Sequence, residues 1–293
     1  MKKTIALMSL LALASLSIAA SAESNVVKEK ENLCVEGSQH CTFVLLSEKV
    51  SEQNSTSKPV ISIINDQRAR IQFSPFSTFK VANSLIALDS GIVSNSQQPL
   101  TFNKDTYPVQ AWWPPVWKLP NYNLTTAFKY SMVAIYRQMA TDIGQSQMKE
   151  YVAKFSYGNE NISSGLDDFW LDGSLQISAV EQISFLQKIY HNQFKVNVNS
   201  IKTLKEVMLV ESTDDYKLYA KTGAGWLKEP YSDNKNTASD KPKKVMLGWY
   251  VGFVENAQGV HYFAFNFTRD SYAQMKANRV NMAMNHLKKV GII

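Results

Sequence analysis

Ser77-Thr78-Phe79-Lys80 places a hydroxyl and an amine three residues apart, the pairing of a nucleophile with a base. On a helix, positions i and i+3 share a face, so the amine can take the hydroxyl's proton and free the oxygen to attack a carbonyl. The spacing alone is weak, because Ser55/Lys58, Ser146/Lys149 and Ser232/Lys235 repeat it. Ser77 differs in its surroundings: it follows Pro75 and opens an apolar helix (Val81, Leu85, Ile86, Leu88), which turns Lys80 toward a dry interior. The one Lys-Thr-Gly in the chain, Lys221-Thr222-Gly223, supplies a second set of groups. Its lysine offers positive charge, its threonine hydroxyl can hold a carboxylate, and its glycine lets a substrate approach the backbone. Read alone, the tripeptide is equally a strand running into a turn. Other hydrolytic chemistries lack their residues. His40, His191, His261 and His286 are scattered, with no HExxH, HxH or GxSxG, so zinc and Ser-His-Asp mechanisms have no support.

These residues need elements to hold them. Apolar runs at Thr42–Leu46 and Val60–Ile64 read as strands, followed by a turn at Asn65-Asp66. A helix is predicted from Ser77 to near Gly91, then a loop rich in Trp and Pro: Trp112, Trp113, Pro114, Pro115, Trp117 and Pro120. Thr125 to Phe155 reads as helical with a break at Gly144, which puts Ser131-Met132-Val133 on a helix. Ser178-Ala179-Val180-Glu181 is a capping box, opening a helix with Ile183, Leu186 and Tyr190 on one face. Strand character returns after residue 215 in Tyr216–Lys221, Val245–Val254 and Val260–Thr268, with a polar loop over Ser232–Lys244 and an amphipathic helix over Ala273–Val290. Strands at both ends with helices between predict an α+β fold. It is an antiparallel sheet flanked by helices, with a helical lobe inserted over about residues 77–200 of a single domain spanning 23–293.

S-x-x-K followed by KTG, with a helical insert between, resembles the layout of the penicillin-recognising serine enzymes, the transpeptidases and serine β-lactamases. Further elements resemble the class D, or oxacillinase-type, branch: Ser131-Met132-Val133 in place of S-D-N, Tyr157-Gly158-Asn159, Phe169-Trp170-Leu171-Asp172-Gly173 with Leu175, and Gly248-Trp249 ahead of Val251-Gly252. A literal Ser232-Asp233-Asn234 falls after the KTG, in the wrong order, and is set aside. The resemblance implies hydrolysis of β-lactams through a Ser77 acyl-enzyme, with Lys80 carboxylated by carbon dioxide as general base and Trp170 donating to the carbamate. It further implies Ser131 and Lys221 as a proton relay and backbone N–H groups of Ser77 and Ala224 as oxyanion donors. Thr222, Gly223, Val133 and Arg279 would line the substrate site. Arg269 is a second candidate for holding the substrate carboxylate, but Arg279 fits the family spacing better. The sequence departs from the usual P-A-S-T-F-K-I-P-N at Phe76 (for alanine) and Ala82 (for proline), which bears on the substrate range. A transpeptidase would carry S-x-N at 131–133, and Val133 argues against one. A β-lactam sensor shares the class D motifs but is attached to membrane helices.

Composition agrees with an exported globular protein. Of 293 residues, 45% are hydrophobic and 19% charged. Lys2 and Lys3, the apolar run Ile5–Ala20 and the small residues Ala20-Ser21-Ala22 read as a cleavable signal over residues 1–22, with no later membrane span. Its removal leaves 29 basic against 25 acidic residues, a net charge of +4 instead of +6, spread too evenly for nucleic-acid binding. Cys34 and Cys41, an even pair in an exported chain, favour a short disulfide loop over two free thiols. The expectation is a periplasmic enzyme with a small-molecule substrate, no metal and no cofactor beyond bicarbonate; a homodimer is left open.

Overall fold

Period-two alternation organises the sheet. In β5 (Met246–Asn256), Trp249, Val251 and Phe253 enter one apolar cluster while Met246, Tyr250 and Val254 enter another on the opposite face. The computed structural model describes residues 34, 40–50, 58–171, 173–229, 231 and 243–293. Among them six strands form one antiparallel sheet: β1 (Cys41–Lys49), β2 (Val60–Ile64), β3 (Leu209–Ser212), β4 (Tyr216–Trp226), β5 and β6 (Gly259–Arg269), in the order β2-β1-β6-β5-β4-β3. The first strands thus pair with the last, as a sheet assembled from both chain ends requires. The signal segment and most of the 232–244 loop lie outside the described residues.

The helices between the two groups of strands are α1 (Asp66–Ala69), α2 (Lys80–Asp89), α3 (Leu124–Lys129), α4 (Val133–Ile143), α5 (Gln145–Lys154), α6 (Ala179–Tyr190) and α7 (Val198–Met208). The insert therefore runs from Asp66 to Met208, somewhat wider than the 77–200 expected. The capping box at Ser178 is present: its side chain accepts from the Glu181 N–H, and Glu181 accepts from the Ser178 N–H. α8 (Tyr272–Lys289) covers the sheet face opposite the larger core, burying Met275, Met282, Ala283 and Leu287 against Phe43, Phe263 and Phe265. Cys34 and Cys41 are joined as a disulfide, with Cα atoms 6.0 Å apart.

Two local expectations need correction. Ser77 lies in a 3-10 turn, Phe76–Phe79, that leads into α2 instead of opening an α-helix. The predicted continuous helix over 125–143 breaks at residues 130–132, and Ser131 sits in that break with φ 54°. Leu124–Lys129 ends there because the Ser131 and Met132 N–H groups fold back onto the Phe128 and Ala127 carbonyls (3.1 and 2.9 Å).

Candidate active site

The 3-10 turn is better suited to the Ser77–Lys80 pair than an α-helix. At three residues per turn, positions i and i+3 eclipse, so the lysine rises directly over the serine. Lys80 Nζ lies 2.9 Å from Ser77 Oγ. The turn is fixed from below: Thr78 Oγ1 and the Thr78 N–H both donate to the Pro75 carbonyl (2.8 and 3.1 Å), and Trp249 Nε1 donates to the Ser74 carbonyl at 3.0 Å. The Gly248-Trp249 element therefore supports the Ser77 turn from the sheet.

Lys80 is fully buried, and burial alone pulls its ammonium from 10.5 to about 7. Its charged end faces the Tyr136 ring, 5.0 Å from the centroid. Tyr136, which the sequence did not single out, thus faces the amine, while Val133 is half-buried and lines a neighbouring cavity. Asn83 and Ser84, one turn beyond Lys80, join this polar core through the Tyr136 carbonyl and hydroxyl. Trp170 stacks on Phe79 (5.4 Å between centroids, 24°) and is 1% exposed, yet its Nε1–H has no acceptor among the described residues. A buried donor without a partner costs about 1–3 kcal/mol, which fits an acceptor that belongs to the working state.

The loop carrying Trp170 is held by several backbone ties. Phe73 and Ile177 exchange N–H···O bonds (3.0 and 2.9 Å), the Phe76 N–H donates to the Trp170 carbonyl at 3.0 Å, and Asn159 Nδ2 donates to Ser174 O at 2.8 Å. Asn159 Oδ1 also accepts from the Gln176 N–H. Gly158, with φ 55°, has no room for a Cβ against the Gln176 carbonyl. The Tyr157-Gly158-Asn159 element is therefore a clamp on the Trp170 loop.

Lys221 reaches across from β4 to Ser131 Oγ at 2.5 Å. It is 4% exposed, and burial, followed by repulsion from Lys80 and Arg279, holds its ammonium well below the usual lysine range. At Gly223 a Cβ would lie 2.7 Å from the Pro75 carbonyl oxygen, so β4 packs directly on the Ser77 turn and brings Thr222 and Ala224 with it. Arg279, on α8, donates to the Gly223 carbonyl at 2.9 Å, while its Nε is buried without an acceptor. Arg269 instead stacks over Phe267 and bonds the Thr268 carbonyl, away from these groups.

Beside this cluster lies a cavity of about 480 Å³ lined by Tyr107, Trp112, Trp113, Trp117, Val133 and Leu171, among others. It does not include Ser77; Val133 and Leu171, the residue after Trp170, connect it to the reacting groups. Trp117 Nε1 also donates to the Tyr130 carbonyl (2.7 Å), tying this wall to the break that presents Ser131.

Residues 42–285 match the family described as penicillin binding protein transpeptidase domain. The chain belongs to that family. Within it the similarity is to class D enzymes: β-lactamase OXA-48 of Klebsiella pneumoniae is 42% identical over 69% of this chain and 68% of its own. The crystal structure of FUS-1 (OXA-85), a class D β-lactamase from Fusobacterium nucleatum subsp. polymorphum, superposes with a TM-score of 0.72 at 28% identity, covering 92% of this chain and 97% of that one. The protein is a class D β-lactamase. The regulatory protein BlaR1 of Bacillus licheniformis is also similar, 29% identical over 79% of this chain but only 35% of its own length.

Proposed function

We propose that this enzyme opens the β-lactam ring of penicillin-type antibiotics through a Ser77 acyl-enzyme, with carboxylated Lys80 as general base in both acylation and deacylation. The observation that carries this reading is a buried Lys80 amine, half neutral near pH 7, 2.9 Å from the Ser77 hydroxyl. A neutral amine adds carbon dioxide with loss of a proton, and the resulting anion supplies a stronger base and a hydrogen-bond acceptor. The unpartnered Trp170 Nε1–H is suited to donate to it.

Lys80, so modified, takes the Ser77 proton as Ser77 Oγ bonds to the lactam carbonyl carbon. The ring C–N bond breaks, and the departing nitrogen takes a proton from Ser131, which Lys221 replenishes across the 2.5 Å contact. The Ser77 and Ala224 N–H groups would hold the carbonyl oxygen, an effect worth roughly 3–4 kcal/mol per donor. Thr222 and the free Nε of Arg279 suit the substrate carboxylate. The proton held on the Lys80 carbamate then passes to Lys221 and restores both groups, after which the carbamate takes a proton from the water that attacks the ester and gives it to Ser77 Oγ as the ester C–O bond breaks. The Trp-lined cavity beside Val133 is the natural place for the acyl side chain. We further propose export to the periplasm, where such turnover confers resistance.

BlaR1-like similarity favours one second reading, a sensor that is acylated without turnover. Incubation with a chromogenic cephalosporin and with a penicillin separates the two. The proposed enzyme hydrolyses many equivalents and Ser77→Ala none; a sensor stops at about one equivalent.

A further inference from the structure

The nucleophile turn and β4 meet at two bare glycines, each bare for a different reason. At Gly223 the nearest obstacle to a Cβ is backbone, the Pro75 carbonyl oxygen at 2.7 Å, with Thr78 Cγ2 and the Thr78 nitrogen just beyond it. At Gly225, two residues on and facing the same side, it is a side chain: a Cβ would fall within 3.0 Å of the Cδ1, Cε1 and Cζ carbons of Phe76. Gly225 does not have a positive φ, so its own backbone would accept alanine. The three atoms nearest to such a methyl all belong to the phenyl ring.

Phe76 is itself an unusual residue. It immediately precedes the nucleophile, its φ is 48°, and it is 3% exposed. Such a conformation is a genuine outlier for a bulky side chain and persists only where the surroundings enforce it. Here the Phe76 N–H is tied to the Trp170 carbonyl at 3.0 Å, its carbonyl leads into Ser77, and its ring rests on β4. One residue thus joins the Trp170 loop, the nucleophile and the strand that carries Lys221 and Ala224.

We propose that the Phe76 ring, seated on the bare Cα of Gly225, sets the separation between Ser77 and β4, and so positions the Ala224 N–H opposite the attacking hydroxyl. This rests on the acyl-transfer reading above. Phe76 is a positioning residue, since it acts through Ser77 and β4. Because the root of the ring is fixed by the Trp170 tie and the buried turn, a methyl added at 225 displaces β4, and Ala224 travels with it. A misplacement of about 1 Å costs on the order of 10²-fold in rate.

The test is the rate at which a fluorescent penicillin labels Ser77 in the full chain, measured with hydrolysis and melting temperature for Gly225→Ala, Phe76→Ala and the double variant. Gly225→Ala is expected to label on the order of 10²-fold more slowly. Phe76→Ala should label less than about tenfold more slowly, and the double variant should approach it, because the clash is gone. Should Gly225→Ala not fold, the series Phe76→Ala, Phe76→Leu and wild type decides, with labelling rates rising in that order. Additive losses in the double variant, or equal rates across the series in folded protein, overturn the assignment. A wild-type chain that no penicillin labels sinks the acyl-transfer reading itself, whereas labelled wild type with indifferent variants sinks only the role of Phe76.

Discussion

Two polar clusters occupy opposite ends of β4 and β5, and they are built on opposite rules. At the end away from Ser77, Glu48 is hydrogen-bonded by Gln187 (2.6 Å), His191 (2.7 Å) and Tyr262 (3.0 Å). Glu255 accepts from Lys205 (2.6 Å) and Tyr190 (2.8 Å), and Lys205 is ringed by Tyr190, Tyr219 and Phe253. Burial there would raise both carboxyls, but these partners outweigh it and hold them below the usual range. At the Ser77 end, Lys80 and Lys221 are deeper in the protein and form no ion pair among the described residues, and Trp170 Nε1 and Arg279 Nε have no acceptor. The first cluster is complete as folded. The second holds desolvated amines and donors without partners, which the proposed mechanism would supply as substrate and carbamate, the pattern expected of a site tuned for chemistry.

Substituting one lysine in each cluster should break the comparison in opposite directions. Lys80→Met is expected to lower turnover by roughly 10⁴-fold or more, yet, with carbon dioxide excluded so that the amine is unmodified, to raise the melting temperature at pH 7. The sign follows from linkage: a lysine lowered from 10.5 to about 7 binds fewer protons folded than unfolded, so stability rises with pH across that window and the penalty is fullest below it. Calorimetry showing Lys80→Met less stable than wild type would remove the contrast. Trp170→Ala comes next, slowing deacylation about 10²-fold and acylation far less, read by rapid quench; equal losses in both steps count against Trp170 as a partner of the base. The smallest effect belongs to Lys205→Met, expected to cost about 1–2 kcal/mol of stability in urea unfolding with turnover within about twofold of wild type. A large loss of turnover there would mean that the far cluster also takes part in catalysis.

Much of this was legible because it depends on short-range chemistry. The S-x-x-K spacing, the KTG at a strand end, the Ser178 capping box and the pairing of first with last strands all follow from local pattern and chain order. What escaped depends on contacts across the fold. The Ser131 break arises from backbone bonds that a run of helix-forming residues does not advertise. Tyr136 faces Lys80 because α4 packs across α2, and nothing in its neighbours in sequence marks it. α7 and β3 fall between Tyr190 and residue 215, where no element was expected; β3 is an exposed edge of only four residues. Phe76 was visible as a departure, but its match to Gly225 depends on a contact between segments some 150 residues apart.

The most direct test concerns the state of Lys80. With the protein in ¹³C-labelled bicarbonate, NMR should show one carbamate resonance that fades as pH falls below about 7 and is absent from Lys80→Met. A chain that turns over penicillin with no such resonance at any pH from 6 to 8 would contradict the claim that burial readies this amine for carbon dioxide.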